Sequence, residues 1–470
     1  MAALGTVLFY YFWMNQQKLV LFLIIYTPFE ELVLKWLPDS LYAPTRYMWE
    51  SMLFAIMGLM LVERMLLSRT WKSSPIDRLM LLFVFGWFLS GLVNHIPLTT
   101  SLIHIKNLVR YVPLFYIIYN LKPDRALLRR IVTAVIAIGV LQSLVCIGQA
   151  LEGNILIEMF RPRDIVVGGQ LIGEPGLQHG SYHTKFTGML PRSGDLGNYL
   201  AFAGCFVVSA YLLTGKKRRY LAALVPILTG LALSSSRISW VSAFFGAAVM
   251  LFTLRHRWRW LYIAVPGITA LLIIAGVLTP ATDSVNQDFN MAGRFFHLFT
   301  SDYIEAISAT GRLCVLLYTV PAVLSATPLL GMGPGTFVHI SMSIPASEVY
   351  AKADALGLQE GAVRWVHDVG YAALLIQGGL LCLIALLWIF GRLYRRARNV
   401  LRHSEDPWLR TFGLASLGLL AMMAIQNLAC FNITYRNQSV IIWTVCGLIA
   451  LWSSVLQGRN ERDEHDRHEI

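Results

Sequence analysis

Apolar windows of about 20 residues recur from one end of this chain to the other, and short connectors rich in Lys and Arg separate them. At a rise of about 1.5 Å per residue, such a window crosses the ~30 Å hydrocarbon core of a bilayer as a helix. In that core every backbone N–H and C=O needs a partner, which leaves only helices and closed barrels. The windows are continuous rather than alternating, so a barrel of ten-residue strands is excluded. The expected fold is an all-α polytopic membrane protein. Composition agrees: 56% of the 470 residues are hydrophobic and 14% charged, with a mean hydropathy of +0.57, more apolar surface than a soluble core buries.

The windows place spans at roughly 18–37, 48–67, 78–94, 104–121, 131–151, 195–214, 220–235, 238–254, 260–279, 367–391, 411–428 and 438–457, about twelve in all. The net charge of +12 would suit nucleic acid if it formed one face. Instead it is divided among connectors: Arg69/Lys72/Arg78, Lys122/Arg125/Arg129/Arg130, Lys216 to Arg219, Arg255/Arg257/Arg259 and Arg392 to Arg402. By the positive-inside rule these connectors are cytoplasmic: with the C-terminal tail they make six cytoplasmic segments that hold about 23 of the 39 Lys and Arg, against about 11 in the longer outer segments. Nucleic acid is therefore not an expected partner, and both termini are expected inside.

That orientation divides the chain into helices 1–9 with their outer loop 152–194 (residues 1–279), a large outer loop (280–366), helices 10–12 (367–457) and a cytoplasmic tail (458–470). No basic n-region with a small-residue cleavage site opens the chain, so Met1 to Met14 reads as an interfacial segment, with Tyr10, Tyr11, Phe12 and Trp13 suited to the headgroup level. Six cysteines lie mostly within apolar windows without CxxC spacing and read as small buried hydrophobes. No G-x-x-x-x-G-K-[ST] run is present, and no cofactor or metal is expected. His179 and His183, four apart, would suit zinc on a helix, but Gly176, Gly180 and Gly188 argue against one there.

Chemistry-bearing residues collect on the outer side. Arg192, Arg237 and Arg312 lie on three separate outer segments, and His367 stands at the mouth of a span. Arginine is always charged and donates two parallel hydrogen bonds, which suits a diphosphate. Fixed cations also stabilise the charge that develops on a leaving diphosphate. His367 has the residue type to take a proton from an attacking hydroxyl. Asp368 follows it, but neighbours on a helix do not face each other, so an orienting pair is not expected. Lys106 and Arg110, one turn apart, read equally as diphosphate ligands or as headgroup contacts. Gly331-Met332-Gly333-Pro334-Gly335 reads first as a structural turn and second as a phosphate cradle, because Pro334 removes one donor.

These residues resemble the core of a known family. Ser236-Arg237 opening a span, Gly311-Arg312 followed by Pro328-Leu329-Leu330-Gly331-x-Gly333-x-Gly335-x-Phe337, and His367 followed by Tyr371, Leu375, Gly378-Gly379 and Leu381 resemble the O-antigen ligase and polymerase superfamily. The likeness covers roughly residues 190–391 in motif and the whole chain in span count. It implies a GT-C-like architecture of about twelve transmembrane helices, with a long periplasmic loop before span 10. It implies metal-independent, inverting transfer of an undecaprenyl-diphosphate-linked glycan to a hydroxyl at the periplasmic face of the bacterial inner membrane. The acceptor is a lipid A-core sugar in a ligase and another lipid-linked glycan in a polymerase. Arg237, Arg312 and His367 match the family's essential positions; Arg192, Lys106 and Arg110 are candidate diphosphate ligands from the reading of the residues alone. Asp368 departs from the Asn frequent after the histidine. A transporter is the competing class; it requires paired interrupted helices near the bilayer midplane.

Overall fold

The computed structural model describes residues 2–67, 72–152, 154–160, 166–167, 170–171, 186–215, 217–254, 312–336, 354–358 and 365–468. The expected span at 260–279, most of the outer loop 280–366, and His179 and His183 lie outside the described residues. The described residues are overwhelmingly helical; the one strand pairing joins Val166–Val167 to Gln170–Leu171.

Helices follow the apolar windows closely: α1 (Ala2–Met14), α2 (Gln16–Tyr26), α3 (Glu30–Lys35), α4 (Asp39–Leu66), α5 (Asp77–Val93), α6 (Leu98–Val109), α7 (Val112–Asn120), α8 (Arg125–Glu152), α9 (Asn154–Phe160), α10 (Ser193–Leu213), α11 (Lys217–Leu233) and α12 (Arg237–Thr253). After the second long interval come α13 (Arg312–Ala326), α14 (Gly370–His403), α15 (Pro407–Gln426) and α16 (Arg436–His468). Five of these, α8, α10, α14, α15 and residues Arg436–Gly458 of α16, are long and apolar enough to cross a membrane. The protein is an all-α membrane protein.

Two windows are more broken than their hydropathy suggests. The window 104–121 is two helices, α6 and α7, parted at Arg110–Tyr111, because Pro113 lacks the N–H that a continuous helix needs. The window 18–37 is likewise interrupted by a 3-10 turn at Thr27–Phe29 around Pro28. Between helices, small residues let backbones approach, as membrane helices require. A Cβ on Gly246 of α12 would strike Met422 of α15; reciprocally, one on Gly418 of α15 would lie 2.8 Å from Met250 Sδ of α12.

The two ends of the bundle differ. At one end the basic connectors meet: Arg392 donates to the Pro75 carbonyl (2.8 Å), Arg125 pairs with Asp406 (3.1 Å), and Arg129 lies over the Trp408 ring. The other end carries the starts of α10, α14 and α16 together with α3 and the first half of α4, and here the remaining charges are gathered.

Candidate functional site

The long α14 is not one helix. Gly379 has φ +69° and ψ −173°, a conformation that only glycine adopts readily, and it breaks the helix in two. The backbone groups freed there are taken by the glycine-rich segment after α13. Met332 and Gly333 donate to the carbonyls of Ile376 and Gln377 (2.7 and 3.1 Å), while Leu380 and Leu381 donate to those of Pro328 and Leu329 (2.9 and 3.3 Å). Two α5 side chains pin the joint: Ser90 donates to the Gln377 carbonyl (2.7 Å) and Asn94 to that of Gly331 (3.0 Å).

This joint settles the role of Gly331 to Gly335. Gly331 N donates to Thr327 O, Gly335 N to the Gln377 side chain (3.0 Å) and Thr336 N to Gly333 O, in addition to the two amides above. Every backbone N–H from 331 to 336 is therefore committed to protein, Pro334 having none. The segment is a structural clamp, not a phosphate cradle.

The clamp also brings two distant residues together. From the joint, α13 runs back to Arg312 over about 15 residues, or ~22 Å, and the first half of α14 back to His367 over about 12 residues, or ~18 Å. Both thus reach the same level. Arg312 Nη2 lies 3.4 Å from Asp368 Oδ2, and His367 Nε2 lies 3.2 Å from Asp368 Oδ1. Asp368 is the residue whose pairing with His367 the helix rule argued against. Residues Val366–Asp368 form a single 3-10 turn between Trp365 and the extended Val369, and the contact is made by the side chains of chain neighbours at the end of that turn. Buried Val366 and Val369 anchor the turn. Asp368 is the most covered of the three, with its side chain 14% exposed against 30% for His367 and 47% for Arg312.

The patch continues into the connector between α15 and α16. Arg192, the residue before α10, lies over the Tyr435 ring at 5.6 Å, and Gln438 donates to Asp195 in the first turn of α10 (3.2 Å). Burial raises the Cys430 thiol to about 12 against the pull of Arg312, and raises the Tyr435 phenol against the pull of Arg192; Asp195 and Asp368 act on both groups. Arg192, Asp195, Arg312 and Asp368 therefore share one electrostatic neighbourhood. Cys430 continues it inward: Asn198 donates to its sulfur (3.7 Å) and accepts from Ser239 (2.7 Å). Arg237 opens α12 two residues before Ser239 and is partly buried, which puts it at the edge of this network.

Lys106 and Arg110 face elsewhere. Both are paired with Glu50 of α4 (2.9 and 3.3 Å), whose carboxylate also holds Arg436 (3.0 Å). Arg436, at the start of α16, reaches Glu30 (2.8 Å) and the Arg46 carbonyl (2.7 Å), and Arg46 pairs with Glu31 (3.2 Å). The result is a nearly closed ionic knot of α3, α4, α6 and α16, in which Glu50 and Arg436 are 2% and 7% exposed. Desolvated charges at that depth need such mutual compensation. As placed, Lys106 and Arg110 both compensate the Glu50 carboxylate. A small indentation lined by Glu30, Pro191, Asp195, Tyr435 and Arg436 separates the knot from the Arg192 patch.

Sequence reasoning passed over Glu30, Glu50, Asp195, Tyr435 and Arg436. A signal existed: Glu30 and Glu50 are charges inside apolar windows, which are rare unless paired. Among the described residues, no three His, Cys, Asp or Glu side chains gather in a way that could hold a metal ion. No protein-family model matches the chain, and no curated protein matches it.

Proposed function

We propose that the protein transfers a glycan from undecaprenyl diphosphate to an acceptor hydroxyl at the periplasmic face of a bacterial inner membrane, in the manner of an O-antigen ligase with a lipid A-core sugar as acceptor. On this reading the chain spans the membrane about twelve times in a GT-C-like arrangement, with both termini and the basic connectors in the cytoplasm. The observation that carries it is the meeting of Arg312 and His367, 55 residues apart, at one carboxylate on the end of the bundle opposite those connectors.

The acceptor oxygen attacks the anomeric carbon as the bond to the diphosphate breaks. Arg312, with Arg192 and Arg237 nearby, holds the departing diphosphate, whose negative charge grows in the transition state. His367 takes the hydroxyl proton. The Asp368 carboxylate, 3.2 Å from Nε2, stabilises the imidazolium that forms. No nucleotide or metal enters the reaction. The ionic knot around Glu50 supports the site from behind by fixing the start of α16.

Purified protein mixed with a lipid-diphosphate glycan and a lipid A-core acceptor is expected to release undecaprenyl diphosphate and yield the glycosylated core. His367→Gln should abolish both products. Failure of the native protein to release undecaprenyl diphosphate with any acceptor refutes the reading. A polymerase would use the same site with a second lipid-linked glycan, so product formed only with that acceptor assigns the polymerase. Transport has interrupted helices in its favour: the break in α14 at Gly379 and the interruptions at Pro28 and Pro113. The groups freed at Gly379 are bonded to residues 328–333, and the charges of Arg312, His367 and Asp368 gather at the bundle end, which favours the enzyme.

A further inference from the structure

Asp368 is the point at which Arg312 and His367 meet. We propose that Asp368 is a positioning residue shared between Arg312 and His367, and that an incoming diphosphate draws Arg312 away from it, leaving the carboxylate to His367 and making the imidazole a stronger base only when the donor is in place. This inference rests on the transferase reading given above.

The geometry is that of a divided carboxylate. One oxygen faces the imidazole at 3.2 Å and the other faces a single guanidinium nitrogen at 3.4 Å. The arginine contact is long and uses one of its five N–H donors. It is also the more exposed side of the triad, so water screens it most. A diphosphate offers the planar fork two acceptors and a larger charge, and therefore competes well for Arg312. The histidine contact is shorter and more sheltered, and nothing in that exchange displaces it.

Signs follow from charge alone. A cation beside His367 favours the neutral ring, and an anion favours the protonated one. With Arg312 on Asp368, the two effects oppose each other. Once Arg312 turns to the donor, Asp368 acts without that opposition, and the diphosphate charge adds in the same direction.

Among the described residues, other charged and titratable groups stand around the turn. Arg192 and Asp195 at the start of α10 carry opposite charges, and Arg237 lies at the start of α12 beyond Ser239 and Asn198. Cys430 and Tyr435, from the connector facing the turn, both hold their protons well above neutral pH because they are buried.

The test follows the titration of His367 by NMR in the full-length protein in detergent micelles, its signal identified among the 11 histidines by its absence in His367→Gln. Four proteins are compared without ligand: native, Arg312→Gln, Arg312→Lys and Asp368→Asn. The expected midpoint order is Arg312→Gln highest, native and Arg312→Lys together below it, and Asp368→Asn lowest. The outer steps should each be about one pH unit, a tenfold change in proton affinity. Arg312→Lys keeps the charge and so controls for misfolding.

Inorganic pyrophosphate is then added as the probe. It should raise the native midpoint by about one unit and the Asp368→Asn midpoint by clearly less. An Arg312→Gln midpoint no higher than native, or equal pyrophosphate shifts in native and Asp368→Asn, overturns the proposal. The ligand-free series reads the coupling without any glycan transfer, so its failure is separable from failure of the transferase reading, which the product assay decides.

Discussion

Replacing Gly379 by Ala tests the joint on which the whole site hangs. At φ +69° and ψ −173° an L side chain is strained by about 1–3 kcal/mol before any contact is counted. The new Cβ would also overlap the Leu329 carbonyl and lie 2.5 Å from Leu330 N, both backbone atoms that cannot swing aside. The chain can relieve this only by undocking residues 328–333 from α14. That forfeits four backbone hydrogen bonds, from Met332, Gly333, Leu380 and Leu381. At a net ~0.5–1.5 kcal/mol each, the cost is about 2–6 kcal/mol.

An unfolding entropy of about 2.1 cal/mol/K per residue gives roughly 1 kcal/mol/K for this chain length, so the thermal midpoint in detergent should fall by about 2–6 °C. Helix retained in the unfolded state lowers that entropy and enlarges the fall. Gly391, farther along α14, is the matched control: nothing lies within 4 Å of its Cβ position. Ala there should be neutral or stabilise by about 0.5–1 kcal/mol, the ordinary gain over Gly in a helix. Thermal unfolding of both variants, each beside native protein, provides the comparison. Equal midpoints for the two variants would refute the clamp.

Arg436→Gln should destabilise by about 3–5 kcal/mol, because it strips a cation from the buried Glu30 and Glu50, whereas Arg125→Gln, whose own side chain is 59% exposed, should cost about 0–1 kcal/mol; denaturation midpoints separate the two. Gln149→Leu should cost about 2–4 kcal/mol in the same assay, because the Gln149 side-chain oxygen accepts from the Thr187 and Gly188 amides, and these would be left unsatisfied. Arg312→Lys should cut glycan release at least about tenfold, since one ammonium cannot reproduce a bidentate fork; unchanged turnover would remove the diphosphate role. Cys430 holds its proton to about 12 in the folded protein and to about 9 when unfolded. The native state therefore binds more protons between those values, and stability should decline as pH rises through that window. All six cysteines are free and buried, so maleimide should modify none of them in native protein at pH 7 and all of them after denaturation.

Helix positions were largely readable, and the exceptions have plain causes. The windows at 78–94, 195–214 and 238–254 match α5, α10 and α12 within two residues, because a bilayer-length apolar run has no other way to satisfy its backbone. The window at 104–121 did not, because averaged hydropathy cannot see Pro113 interrupt it. Of the site residues, Arg312 and His367 meet and Arg192 shares their neighbourhood, while Lys106 and Arg110 turn to Glu50. The last outcome needed knowledge of Glu50, which sits 56 residues before Lys106 on a helix that nothing in the local sequence pairs with α6. Asp368 was misjudged: its carboxylate lies 3.2 Å from the ring of its chain neighbour His367, on a turn of three residues that is no part of a longer helix.

Local chemistry, then, determined by itself that the chain is helical, that it belongs in a membrane, and which stretches are helix. Backbone satisfaction in hydrocarbon is a condition each segment must meet within its own residues. Which cation ends beside which carboxylate was decided only in three dimensions. That choice depends on how far one helix slides along another, and here the slide is set by contacts with no sequence signature of their own: the break at Gly379 filled by residues 328–333, and the Met–Gly interlock of α12 with α15.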